Sequence, residues 1–268
     1  MGGHGLRSLA FLGHSTVLLD FGGVRVLTDP VLRDRVTFLR RVTASPAPAA
    51  YRNVDAVVLS HLHHDHCDLP SLRRLGRDVL IVAPPGAAGF LSGNGFRRVL
   101  TLRPGRSVSV GHVRLTSTPA VHSGRRGPFG PRAEAVGYLL TTDTFAGYFA
   151  GDTDLFDGMG DLRPRLDLAL LPVWGWGPNL GPGHLDPQRA AWAVELLRPA
   201  HAVPVHWGTL FPYGLSRLYR DRLTRPAAAF AAEVTARGLP TAVHVVPPGG
   251  DLAWDSTWDC AWDSAWDR

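Results

Sequence analysis

The chain has 268 residues, 45% of them hydrophobic and 19% charged, a balance that builds a large core and excludes bulk disorder or a collagen-like fibre. Every basic residue is arginine, and residues 1–250 hold 27 arginines against 18 acids, a surplus of +9 that favours anionic substrates or polyanions. No apolar run reaches the roughly 18 residues of a membrane span, the first thirteen residues lack a leader pattern, and the distant Cys67 and Cys260 give no disulfide framework, so a globular cytoplasmic protein is expected.

Short β-branched or apolar runs separated by glycine and proline lie at residues 16–19, 24–28, 57–60, 79–83, 108–110 and 113–118. This is the pattern of strands joined by turns, and Gly22-Gly23 marks a hairpin. The arginine-rich residues 33–52, with Pro46 and Pro48, show no clear period and read either as a loop over a site or as a surface excursion. The strand pattern returns at 137–141, 148–150, 168–171, 202–205 and 243–246. Helices are predicted over 187–197, which starts at Pro187 and carries Ala190, Ala191, Val194 and Leu197 on one face, and over 227–237, which ends at Gly238. Two runs of strands, each followed by helices, suggest two packed sheets with helices outside, in one domain over residues 1–250. In the tail, residues 251–268, tryptophan recurs every fourth residue, each followed by aspartate. It is predicted to be disordered, with an aromatic contact stripe as the alternative.

The chemistry gathers in Ser60-His61-Leu62-His63-His64-Asp65-His66-Cys67-Asp68, directly after the strand-like Asp55-Ala56-Val57-Val58-Leu59. Neutral imidazole and carboxylate are ligands of choice for zinc and similar divalent ions. In extended backbone His61 and His63 project to one face, and the turn that follows can bring Asp65 and His66 to a neighbouring position. One loop could then serve two metals, the alternative being a solvated polar tract. Four ligands cannot close two coordination spheres, so distant helpers are predicted. His122, Asp152 and His206 qualify, each standing where an apolar run stops. Cys67, after the motif, reads as buried packing rather than a ligand.

His-x-His-x-Asp-His and the contexts of these helpers resemble the metallo-β-lactamase superfamily over about residues 13–208. The resemblance implies a four-layer αββα sandwich with a dinuclear site at one edge of the sheets. It places His61, His63 and His122 on one metal, Asp65, His66 and His206 on the other, and Asp152 as a bridge. It also makes Asp29, in Leu27-Thr28-Asp29-Pro30, a partner that orients a ligand histidine. Gly13-His14-Ser15-Thr16, Ala150-Gly151-Asp152-Thr153, His184-Leu185-Asp186-Pro187 and His206-Trp207-Gly208-Thr209 resemble the branch containing N-acyl-phosphatidylethanolamine-hydrolysing phospholipase D and ascorbate-6-phosphate lactonase. In that branch a histidine matching His184 lies near the reaction centre; a polar residue at a helix start is the plainer reading. Trp174-Gly175-Trp176-Gly177-Pro178 departs from the phospholipase, and these tryptophans read either as substrate contacts or as core packing.

The expected activity is dinuclear-metal hydrolysis through a metal-bridging hydroxide, with zinc, manganese or iron as the metal. Asp65 would orient that nucleophile, and His184 would donate a proton to the leaving oxygen. The expected substrate is a phosphodiester, a lactone or a phosphorylated small molecule, which makes the partner a small or lipid-derived anion. Two alternatives stand beside it. A nuclease would use the same metals, although the chain shows no added nucleic-acid-binding domain and no stacking-aromatic motif; a non-catalytic metal-binding regulator would normally have lost ligands.

Overall fold

The computed structural model describes residues 5–162, 165–177 and 180–254. In its first half the strands are β1 (Ser8–Gly13), β2 (Thr16–Asp20), β3 (Arg25–Thr28), β4 (Arg35–Val36), β5 (Leu39–Arg41), β6 (Ala56–Val58), β7 (Leu80–Ala83) and β8 (Val99–Thr101). There follow β9 (Ser107–Val110), β10 (Val113–Pro119), β11 (Val136–Thr141), β12 (Ala146–Phe149), β13 (Leu166–Pro172), β14 (Pro199–Val205), β15 (Leu210–Pro212), β16 (Ala242–Val243) and β17 (Asp251–Ala253). The helices are α1 (Leu69–Leu75), α2 (Ala88–Gly93), α3 (Pro187–Leu197) and α4 (Asp221–Ala236).

These elements form two large sheets, ordered β17-β1-β2-β3-β6-β7-β8 and β16-β14-β13-β12-β11-β10-β9. Alternation along each strand decides what each sheet faces. In β6 and β7, Val57 and Ile81 join Leu72 of α1 and Leu91 of α2 in an outer cluster that also holds Cys67. Val58 and Val82 point the other way and meet Tyr138, Phe149 and Leu170 of the second sheet. Each such buried side chain contributes roughly 1.5–3 kcal/mol. On the far side α3 lies on β13 and α4 on β14, with Ala190, Val194, Phe230 and Val234 buried. The expected αββα sandwich is what the chain forms. One helix of each outer layer starts as its sequence requires: Asp68 caps α1 at the Ser71 amide and Asp186 caps α3 at the Arg189 amide, each followed by a proline in the first turn.

Four local readings change. Residues 33–52 contain the β4–β5 hairpin, turned at Thr37 with φ +50°, and β5 pairs with β15 into a third small sheet. Helix α4 begins at Asp221, six residues before the expected 227, and runs through Pro226, which lacks the N–H for the bond to the carbonyl four residues back. Of 243–246, only the first residue pairs in the sheet. Finally, Asp251–Ala253, read as the start of the tail, closes the first sheet against β1, and Trp254 packs edge-on to Phe145 with ring centroids 5.4 Å apart. The remaining repeats lie outside the described residues. No helix among those described is long and apolar enough to cross a membrane.

The sheet directions position the site. β3 and β6 are parallel, and β10, β12, β13 and β14 run in one direction. Their carboxyl ends therefore open along one rim, the edge where sheets of this kind present ligand-binding side chains.

Candidate metal centre

Each expected ligand stands one to eight residues beyond such a strand end. Asp29 follows β3, His61 to His66 follow β6, His122 follows β10, Asp152 follows β12 and His206 follows β14. His61, His66, His206, Asp29, Asp65 and Asp152 are buried, while His63 and His122 are half-buried. His64, in the middle of the motif, is exposed.

The side chains converge. His66 Nε2 lies 3.0 Å from His206 Nε2, and His122 Nε2 lies 3.1 Å from His63 Nδ1. Asp152 sits among them, its carboxylate 3.1 Å from His66 Nε2, 3.3 Å from His206 Nε2, 3.9 Å from His61 Nε2 and 4.0 Å from His122 Nε2. Donor atoms mutually within 4.8 Å form one group of His61, His63 and His122 and another of His14, Asp65, His66 and His206. The seven expected ligands are thus brought together, and His14, Asp29 and His184 stand in groups with them.

What lies behind the rings fixes their protons. His122 Nδ1 donates to the Gly183 carbonyl at 2.8 Å and His206 Nδ1 to the Trp174 carbonyl at 2.6 Å. His66 Nδ1 meets Asp29 Oδ2 at 2.7 Å. Ser60 Oγ donates to the same carboxylate and so accepts from His61 Nδ1 at 2.9 Å. Each arrangement leaves a lone pair on Nε2 facing the centre. Such lone pairs 3.0 Å apart repel unless a proton or cation lies between them, and His61 Nε2 and Asp152 Oδ1 are buried with no hydrogen-bond partner. Unpaired buried acceptors of this kind are costly. The donor set therefore fits a divalent cation centre.

Charge tells the same story. Burial pushes His61, His122 and His206 below the ordinary histidine range and takes His63 to about 4, reinforced by neighbouring histidines. Burial also opposes the charge of His66, but Asp152, Asp65 and Asp29 overcome it and hold its pKa well above the ordinary value. Asp65 and Asp152 would be discouraged from ionising by burial, yet the surrounding histidines hold both well below the usual carboxylate range. Neutral imidazoles around two carboxylates, with one proton on His66, form a set whose proton a cation would displace.

A cavity of about 440 Å³ opens over this cluster, lined among others by Phe38, Arg125, Trp176, His184 and His206. His184 is half-buried, its Nδ1 donating to the Gly181 carbonyl at 3.0 Å and its Nε2 3.6 Å from Asp152. Trp176 also lines the cavity and donates from Nε1 to Asp65 Oδ2 at 3.0 Å. Trp174 does not. Its indole bonds the Gly177 carbonyl and stacks under Arg222 in a separate pocket beside α4, so alternate residues of Trp174-Gly175-Trp176 face different neighbours. Cys67 is buried in the outer core, its thiol pushed up to about 12 by burial, as the packing reading expected.

His14 was not singled out from the sequence as a site residue. It is fully buried between β1 and β2, 3.1 Å from Asp65 Oδ2 and tilted against His206 with ring centroids 3.9 Å apart. The available signal was the segment Gly13-His14-Ser15-Thr16, which carried the resemblance but, lying between two apolar runs, reads by itself as a turn.

The comparisons with known proteins agree with this geometry. The β-lactamase superfamily domain matches residues 24–207. A metal-dependent hydrolase of the UPF0173 group from Opitutus terrae is 32% identical over 250 residues, covering 90% of this chain and 97% of that protein. N-acyl-phosphatidylethanolamine-hydrolyzing phospholipase D 1 from Caenorhabditis elegans is 30% identical over 245 residues, covering 80% of this chain and 67% of that protein. Among solved structures, Igni18, a metallo hydrolase from Ignicoccus hospitalis, is similar with a TM-score of 0.72 and 25% identity, covering 93% of this chain and 99% of the other. With the strand-end cluster in place and the domain matched across both sheets, the chain belongs to the metallo-β-lactamase superfamily, among its metal-dependent hydrolases.

Proposed function

We propose that the chain hydrolyses an anionic ester, a phosphodiester or a lactone, with two divalent ions. His61, His63 and His122 would hold one ion, Asp65, His66 and His206 the other, and Asp152 both. The observation that carries this reading is the pair of close nitrogen contacts, His66 to His206 at 3.0 Å and His63 to His122 at 3.1 Å, on either side of one carboxylate. Divalent ions held there would lower the pKa of a bound water and so supply a hydroxide nucleophile at neutral pH. Zinc, manganese and iron all suit this donor set.

The chain's own residues supply the rest. Asp29 orients His66 directly and His61 through Ser60. His184 holds its Nδ1 proton on a carbonyl, so a second proton at Nε2 makes it an imidazolium on the cavity wall, placed to protonate a leaving oxygen. Arg125 lines the same cavity with its Nε buried and without a hydrogen-bond partner. A guanidinium so placed suits a carboxylate or phosphate of the substrate, which agrees with the +9 balance and with the phospholipase D relative.

The test is turnover by the metal-loaded protein on a panel of phosphodiesters, lactones and amides. Expected is turnover of a phosphodiester or a phosphorylated lactone that a chelator stops and added metal restores. Arg125→Leu should raise KM about 10- to 100-fold, the equivalent of one charge-assisted hydrogen bond. Full metal occupancy with no turnover would favour a binding protein, and strong salt-dependent binding of nucleic acid would favour a nuclease.

A further inference from the structure

His61, His66, His122, His184 and His206 share one habit: each fixes Nδ1 on an oxygen behind the ring and turns Nε2 to the centre. His14 is turned differently. Its Nδ1 is buried without a partner, and its Nε2 meets a carboxylate oxygen of the cluster itself, Asp65 Oδ2, at 3.1 Å. A neutral imidazole carries one proton, and only on Nε2 does that proton find an acceptor here. On its other side the same oxygen receives the Trp176 Nε1–H at 3.0 Å. We infer that His14 and Trp176 are positioning residues that clamp the Asp65 carboxylate for one metal site, an inference that rests on the two-ion reading above.

Both arms of the clamp are held. The His14 backbone has φ +57°, a left-handed conformation that is unfavourable for a non-glycine residue and persists only where its surroundings impose it. Those surroundings are specific: its amide donates to Thr209 Oγ1 at 2.7 Å, its carbonyl accepts from the His206 amide at 2.7 Å, and its ring packs tilted against that of His206. Arg41, buried beside the turn, bonds the Leu12 carbonyl at 2.9 Å. Trp176 is set against the small third sheet, packed with Val31, Val36, Leu39 and Leu210 and edge-on to Phe38 at 5.0 Å. Two N–H donors converging on one oxygen stop the carboxylate rotating about its Cβ–Cγ bond. Asp65 Oδ2 then stays 3.9 Å from both His66 Nε2 and His206 Nε2. Because Trp176 and Phe38 also line the cavity, the wall that meets the substrate is the wall that steadies this ligand.

The test strips the full-length protein of metal and titrates it with Zn²⁺ alone against a chelator, comparing wild type with His14→Ala, His14→Gln, Trp176→Phe and the double variant. Loss of such a supporting partner weakens metal affinity roughly 10- to 100-fold. His14→Ala and Trp176→Phe should each do this to one of two equivalents and leave the other unchanged, while His14→Gln, which keeps an N–H, should recover part of the loss. Trp176→Phe keeps the ring packing, so it decides the matter if His14→Ala fails to fold. Unchanged affinity in the double variant would overturn the clamp. So would complete loss of one equivalent in His14→Ala with none in Trp176→Phe, which would make His14 a ligand. A wild type that binds a single ion would defeat the two-ion reading, and the clamp would then stand or fall on whether that ion weakens in Trp176→Phe.

Discussion

The first sheet delivers its share of the centre on one loop: His61, His63, Asp65 and His66 follow β6 within a few residues, with Asp29 and His14 arriving from adjacent strands. The second sheet delivers one side chain per strand end, His122 after β10, Asp152 after β12 and His206 after β14. A loop can place several ligands by its own turns, whereas ligands spread over three strands are placed only by the packing of one sheet on the other. Gly151 lies on that seam. Its φ is +61°, and a Cβ there would come within 2.4 Å of Ser60 Cβ, so the segment carrying Asp152 rests directly on the one that begins the histidine loop. Closing the centre is in this sense a property of the sandwich.

The sharpest way to break the loop's half is His63→Ala, which should remove one of two ions and nearly all turnover, read by elemental analysis and kinetics on the same sample. Retained metal and full rate would remove His63 from the ligand set. Smaller is the effect expected for His184→Ala, a residue of the second half that would act on substrate alone: turnover falls by about 10²- to 10⁴-fold with metal content intact. If turnover and metal are both unchanged, His184 is only the polar residue ahead of α3. On the seam itself, Gly151→Ala should cost about 1–2 kcal/mol for the left-handed conformation alone. It should also weaken metal binding through displacement of Asp152, seen as a lowered Tm of the metal-free protein and a right-shifted metal titration. The mildest change is at the chain end. Truncation after Trp254 should leave stability and turnover alone, whereas truncation after Gly250 removes β17 and the Trp254 contacts and should cost about 1–3 kcal/mol in a melt.

The same contrast explains what could be read from the amino acids. His61, His63, Asp65 and His66 share one short loop, so their chemistry was visible without a fold, and the apolar run Ala56-Val57-Val58-Leu59 ahead of them already read as a strand. His122, Asp152 and His206 showed by residue pattern only as polar residues where apolar runs stop; the resemblance assigned them to the centre, and the shared direction of their strands makes them one rim. His14 was not visible as a site residue because its role depends on contacts 51 and 195 positions away, to Asp65 and Thr209. Trp174 and Trp176 looked equivalent, each beside glycine, yet one faces the cavity and the other Arg222, a difference set by α4 and the β4–β5 hairpin. That hairpin escaped notice because its strands are only two and three residues long, too short for a period-2 pattern to show.

Elemental analysis of the wild-type protein, purified without added chelator and titrated to saturation, tests the central claim most directly. Two divalent ions per chain, both required for turnover, are expected from donors gathered around Asp152. Saturation at one ion with full turnover would contradict a shared centre, and absence of any bound divalent ion would contradict the metal reading of the whole cluster.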